Sequence, residues 1–252
     1  MGVRGMRALR GRVVRLPEAG GDDFGVAGGP EAAAGAGAGA GGPPVRLAIL
    51  GDSTAAGVGA SVHAEALAGC VAQALAALTG RTVSWRVSAR SGATMAAVRS
   101  GLLPGLTDPA TRWRPDLVLV AAGVNDVLRL RGPRAFRREA ALLVRDVRLR
   151  LGEDVPIVFA GLPSVDNFDT VPRGVRGPLS LYVRLLDRQL RVVARRGRAV
   201  RHVRSGALPK APGMWLAADH FHPSPAGYRA WSHTLAPGLA TLTTGLGASP
   251  RP

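Results

Sequence analysis

The chain has 252 residues, is 46% hydrophobic and only 4% aromatic, and carries a formal charge of +16. That length can bury one sizeable α/β core and falls short of two full domains. The charge raises nucleic acid or an anionic membrane surface as partners, but so few aromatic side chains leave little from which to build a stacking platform for single strands.

The basic excess is almost entirely arginine, with Lys210 the single lysine, and it accompanies heavy use of Ala and Gly. This reads as a GC-rich coding bias, with the arginines of 134–150 and 184–198 forming solvated helix faces. Cys70 is the only cysteine, which excludes a disulfide framework and a Cys-based metal site. No apolar stretch of signal-peptide length opens the chain, and nowhere do about 18 apolar residues run together, so a cytoplasmic location is expected, with peripheral membrane association left open.

In chain order, residues 1–18 alternate Val, Met and Leu with arginines as a basic segment with the pattern of a short helix, weakened by Gly2, Gly5 and Gly11. Residues 19–44 run through Gly, Ala and Pro with almost no bulky side chains and read as a flexible linker. From Val45 to residue 247 apolar runs alternate with amphipathic segments, the signature of one α/β domain, and 248–252 form a tail. Strands are expected at Val45–Gly51, Thr82–Ser88, Asp116–Ala122, Pro156–Gly161 and Ala199–Val203. Helices are expected at His63–Leu78, Thr94–Leu103, Pro133–Leu151, Pro178–Arg196 and Pro225–Leu246. The expectation is a three-layer α/β/α fold around a five-stranded parallel sheet.

Three of these strands end in small and polar residues, at the edge where a doubly wound sheet exposes its ligand groups. Gly51-Asp52-Ser53 follows the first, with Gly57 and Gly59 beyond it, and it fits none of the Walker, dinucleotide or Gly-x-Ser-x-Gly patterns. Ser91-Gly92-Ala93 follows the second, and Gly123-Val-Asn125-Asp126 the third. Parallel strand ends converge, so the Ser53 hydroxyl, the Gly92 N–H and the Asn125 amide become candidate neighbours suited to an oxyanion. Taken singly, Gly92 is equally a turn residue and Asn125 equally a loop cap. Near the end, Asp219-His-Phe-His222 puts a carboxylate and an imidazole three residues apart on a turn, where the carboxylate can hold the imidazole in the tautomer that accepts a serine proton.

In that combination the chain resembles the SGNH or GDSL-like hydrolases, whose Ser, Gly, Asn and His fall in four separate blocks, and the resemblance runs from about Val45 to Leu246. It implies a flavodoxin-like fold and a serine esterase or lipase acting through an acyl-enzyme. Ser53 would be the nucleophile, His222 the base and Asp219 its partner, with the Ser53 N–H, Gly92 N–H and Asn125 side chain as the oxyanion hole. Thr54 stands where the family shorthand has Leu, a departure that bears on substrate more than on catalysis. Acyl chain, alcohol group and oligomeric state are not encoded in these blocks.

The remaining candidates take structural readings. Asp52 and Asp126 hold loops, His63 caps a helix or lines the site rim, and His202 and His233 are structural or exposed. His220 is the rival base, and Trp215 walls the acyl pocket or packs in the core. No cluster has metal-ligand spacing, so neither metal nor cofactor is expected, and the partner is a small acyl ester. The competing reading is a non-catalytic binding module whose Arg-rich surface docks nucleic acid or an anionic membrane.

Overall fold

The apolar runs become strands because helices cover both of their faces. The computed structural model describes residues 16–28, 43–165, 171–205 and 214–243. Its strands are β1 (Phe24–Ala27), β2 (Val45–Gly51), β3 (Val83–Ala89), β4 (Leu117–Ala121), β5 (Ile157–Ala160) and β6 (Val200–Val203), in one sheet of order β1-β3-β2-β4-β5-β6. Strands β2 to β6 are parallel. Without β1 this is the flavodoxin-like order, and its topological switch lies at β2. Gly51 is the register partner of both Ala89 and Ala121, so the three strands around the switch end level.

The two-residue period of the strands sorts their side chains into two cores. Val45, Leu47 and Ile49 of β2 join Leu117, Leu119 and Ala121 of β4 against α1 (Leu67–Thr79) and α6 (Pro225–Thr243). Ala48, Leu50, Val118, Val120, Ile157 and Phe159 face the other way, toward α2 (Met95–Gly101), α4 (Pro133–Leu151) and α5 (Arg173–Arg196). A short helix, α3 (Val124–Leu128), follows β4 directly. Helix α4 buries Phe136, Ala140, Leu143, Val144, Val147 and Leu151, the three- and four-residue steps of an amphipathic helix, and its arginines lie off that stripe.

The sheet departs from the expected five parallel strands by a sixth. β1 pairs antiparallel with β3, from Phe24↔Arg86 to Ala27↔Val83. The stretch 19–44, expected as a linker, therefore begins as part of the sheet. Its edge pairing is made by backbone groups and by the Arg86 guanidinium lying 5.4 Å over the Phe24 ring, so it needs none of the side-chain alternation that marks a half-buried strand. The rest of that stretch, at 29–42, lies outside the described residues, as do 1–15 of the basic segment and the tail at 248–252.

Helix α5 begins at Arg173, ahead of the Pro178 expected to open it. The proline ring forfeits one helical bond, to the Gly174 carbonyl, and Gly174 is exposed, so water can take its place. The expected last turn of α6, to Leu246, runs past the described residues. Among those residues no helix is long and apolar enough to cross a membrane.

Tyr228 of α6 is fully buried, and its hydroxyl donates to the Val58 carbonyl at 2.7 Å, fastening α6 to the loop after β2. Replacing Tyr228 with Phe should lower the unfolding free energy by about 1–3 kcal/mol, read from the urea midpoint at constant m-value.

Candidate active site

Ser53 stands one residue beyond Asp52, where β2 leaves the sheet. The exit is fixed by backbone bonds to its neighbours: Asp52 N–H donates to the Ala121 carbonyl at 3.0 Å and Arg90 N–H to the Gly51 carbonyl at 3.3 Å. The Asp52 carboxylate is buried and turned inward, accepting from the Thr54 N–H at 3.2 Å and the Thr54 hydroxyl at 3.0 Å. Burial pushes its pKa up to about 6, against the pull of the Thr54 bonds, the nearby His222 and the Gly123 N–H. Its part is to shape the turn that presents Ser53.

The histidine arrives from the connection between β6 and α6. Asp219 is buried, and its Oδ1 accepts from the N–H groups of Phe221 at 3.0 Å and His222 at 2.9 Å, a local turn that leaves Oδ2 free for the ring. His222 Nδ1 lies 2.5 Å from that Oδ2, and its Nε2 lies 2.8 Å from Ser53 Oγ. An ionised Asp219 selects the tautomer with hydrogen on Nδ1, which leaves Nε2 to accept the serine proton. His220, the rival base, is exposed, at a left-handed φ of 53° in the same turn.

The two loops meet because Gly59 carries no side chain. A Cβ there would stand 2.2 Å from the Pro223 carbonyl oxygen, so any other residue would push the histidine loop away from the serine loop.

Gly92 and Asn125 lie on the same edge. Arg90–Ala93 forms a turn closed by the Ala93 N–H donating to the Arg90 carbonyl at 3.1 Å, and Gly92 takes the positive φ of 77° required at its third position. The Asn125 amide nitrogen donates to the Ala93 carbonyl at 3.1 Å and stands 3.5 Å from Asp52 Oδ2, which puts it between the Gly92 turn and the Ser53 turn. Arg129 donates to the Gly92 carbonyl at 3.1 Å. Among the described residues neither Ser53 N–H nor Gly92 N–H has a protein acceptor. The edge thus brings a hydroxyl paired with an imidazole beside uncommitted backbone donors.

Asp126 accepts from Met95 N–H at 2.8 Å, fastening α3 to the start of α2 beside the Gly92 turn, and burial raises its pKa. His63 is buried at 8% exposure, with its Nδ1 unpartnered and its pKa lowered by burial. His202 is paired at 2.7 Å with Asp187, which also accepts from Leu162 N–H at 3.0 Å. Burial works against the Asp187 charge, but these bonds and Arg191 together hold its pKa below the usual value. His233 is exposed.

A cavity of about 70 Å³ opens beside Ser53 and His222. Its walls are largely apolar, with Leu162, Leu216, Phe221 and Trp231 prominent. Trp215, one of the candidates for this role, is not among them. Trp231 of α6 is, and its indole N–H donates to Ser205 Oγ at 3.0 Å. Its position in the sequence gave no signal, since it sits in a helix with an ordinary apolar spacing. Among the described residues no group of three or more His, Cys, Asp or Glu side chains is arranged to hold a metal.

A family profile described as GDSL-like Lipase/Acylhydrolase matches residues 49–230. A GDSL-like esterase of Mycobacterium tuberculosis is 28% identical over 188 residues, 73% of this chain, and the chain spans only 58% of that relative's length. The fold is similar to a family 3 carbohydrate esterase of Clostridium thermocellum (16% identity, 80% of this chain and 98% of that one, TM-score 0.60). It is equally similar to the esterase EstA of a Pseudoalteromonas species, a structure inhibited by monoethylphosphonate (15% identity, 79% and 99%, TM-score 0.60).

The raised Asp52 pKa has a testable sign. Between the ordinary 3.8 and about 6 the folded chain binds this proton more tightly than the unfolded chain, so its contribution to stability is full below 3.8 and is lost as pH rises through about 6. Asp52→Asn removes that dependence. Urea unfolding at several pH values should show the variant gaining on the parent, by on the order of 2–3 kcal/mol, as pH rises across this window.

Proposed function

The chain belongs to the GDSL-like lipase/acylhydrolase family, and on that premise we propose that it is a carboxylic ester hydrolase working through an acyl-enzyme on Ser53. The observation that carries the reading is the continuous line from Asp219 through both nitrogens of His222 to Ser53 Oγ, with spacings of 2.5 and 2.8 Å. Ser53 Oγ attacks the ester carbonyl while its proton passes to His222 Nε2, and Asp219 balances the imidazolium. The negative charge formed on the carbonyl oxygen falls to the Ser53 and Gly92 N–H groups and the Asn125 amide. Collapse of this intermediate breaks the C–O bond, and the leaving alkoxide takes the proton from His222. Water then attacks the acyl-enzyme with His222 as base, releasing the acid and restoring Ser53.

The apolar cavity supports an acyl group without charge, and Trp231 forms part of its wall. Ser53→Ala should lower turnover of p-nitrophenyl acetate by about 10⁴-fold or more and abolish labelling by a fluorophosphonate probe. Asn125→Ala should lower kcat by about 10²–10³-fold. Parental turnover in purified Ser53→Ala would refute the mechanism.

Trimming the cavity wall with Trp231→Leu should move the kcat/KM maximum toward longer chains in a p-nitrophenyl ester series, and an unchanged profile would place the acyl group elsewhere.

A further inference from the structure

The segment before β2 lies outside the residues matched by the family, yet it reaches the proposed oxyanion edge. Residues ahead of β1 run across the serine loop. Ala19 N–H donates to the Ala56 carbonyl at 3.0 Å, Gly20 N–H to the Ser61 carbonyl at 2.9 Å, and Gly20 bridges Val62. Beyond them β1 is locked to β3, and Val87 N–H donates to the Asp23 carbonyl at 2.7 Å. Glu18 is therefore tethered through the backbone on its C-terminal side. From there its Oε1 accepts from Ser91 N–H at 2.6 Å.

Ser91 precedes Gly92 in the Arg90–Ala93 turn. The other bonds to that turn come from within the matched region: Arg90 N–H to Gly51, Arg129 to the Gly92 carbonyl, and Asn125 to the Ala93 carbonyl. The peptide group between Arg90 and Ser91 is held by Glu18 alone among side chains of the described residues. Rotation of that peptide would be passed on to the next one, which carries the Gly92 N–H. An oxyanion donor contributes only when fixed in advance where the charge develops.

We propose that Glu18 is a positioning residue for the reaction, with the strap formed by residues 16–28 holding the Gly92 turn through the bond from Glu18 to Ser91 N–H. The proposal rests on the esterase reading above. The feature required of Glu18 is an acceptor at this position, not its negative charge, so a glutamine retains it and an alanine does not. Glu18 is exposed, and its replacement takes nothing out of either core.

The test compares Glu18→Ala and Glu18→Gln in the full chain by steady-state kinetics on p-nitrophenyl acetate and by hydrogen exchange of the peptide covering residues 89–96. In Glu18→Ala, kcat should fall about tenfold with KM within about twofold, since the donor acts on the transition state more than on bound ester. Exchange in 89–96 should rise, while Glu18→Gln stays close to the parent in both readouts. Parental kcat in Glu18→Ala, equal losses in both variants, or a change confined to KM would overturn the proposal. If the unsubstituted chain turns over no ester, the esterase reading itself fails, and unchanged exchange in Glu18→Ala would then dismiss the clamp independently.

Discussion

The level ending of β2, β3 and β4 is the constraint on which the site depends. Parallel strands deliver their C-terminal ends to one edge, but only the shared register of Gly51 with Ala89 and Ala121 makes the three exits coincide. Backbone groups leaving a sheet need new partners. Here they find them across the exits, Asp52 N–H on the Ala121 carbonyl and Arg90 N–H on the Gly51 carbonyl. The bonds that finish the sheet are thus the ones that space the Ser53, Gly92 and Asn125 turns.

The histidine is supplied by a separate arrangement, which has to be docked onto that edge. Tyr228 ties α6 to the carbonyl of Val58, and the absence of a side chain at Gly59 admits the Pro223 carbonyl. Carboxylates join the adjoining loops: the buried Asp219 gathers its own turn, the buried Asp126 joins α3 to α2, and the partly buried Asp187 bonds both Leu162 N–H and His202. Burial of Asp52 outweighs its bonds and raises its pKa to about 6, as it also raises that of Asp126. Asp52 keeps Thr54 in place and adds negative charge near His222, a balance in which some stability is given up at the proposed site.

Much of this was legible in the sequence because the strands are short apolar runs that stop abruptly at Gly, Ser or Asn. Val45–Gly51 and Pro133–Leu151 match their expected bounds, and the Ser53, Gly92, Asn125, Asp219 and His222 positions share the edge that parallel convergence requires. The misses have a common origin. β1 is held by backbone pairing and by the ring of Phe24 beneath Arg86, so a four-residue strand inside a Gly- and Ala-rich stretch shows no period. The start of α5 was displaced because proline favours a first turn, a local preference that the longer helix overrides. Glu18 and Trp231 make their contacts, with Ser91 N–H and Ser205 Oγ, to residues distant in the chain, and neither leaves a trace in local spacing.

The same geometry separates the charge of the chain from the chemistry proposed for it. The walls of the cavity beside Ser53 contain no Arg or Lys among the described residues. Arg129, whose side chain reaches the edge, is engaged with the Gly92 carbonyl. Others are spent on structural pairs, as where Arg46 meets Asp116 and Arg99 meets Glu139 and Asp146, or stand outward on α4 and α5. An anionic group in the cavity would therefore meet the Asp52 carboxylate without a compensating cation in the cavity wall. That asymmetry supports the proposal of an uncharged acyl group, and the described arginines contribute their charge outside the cavity wall.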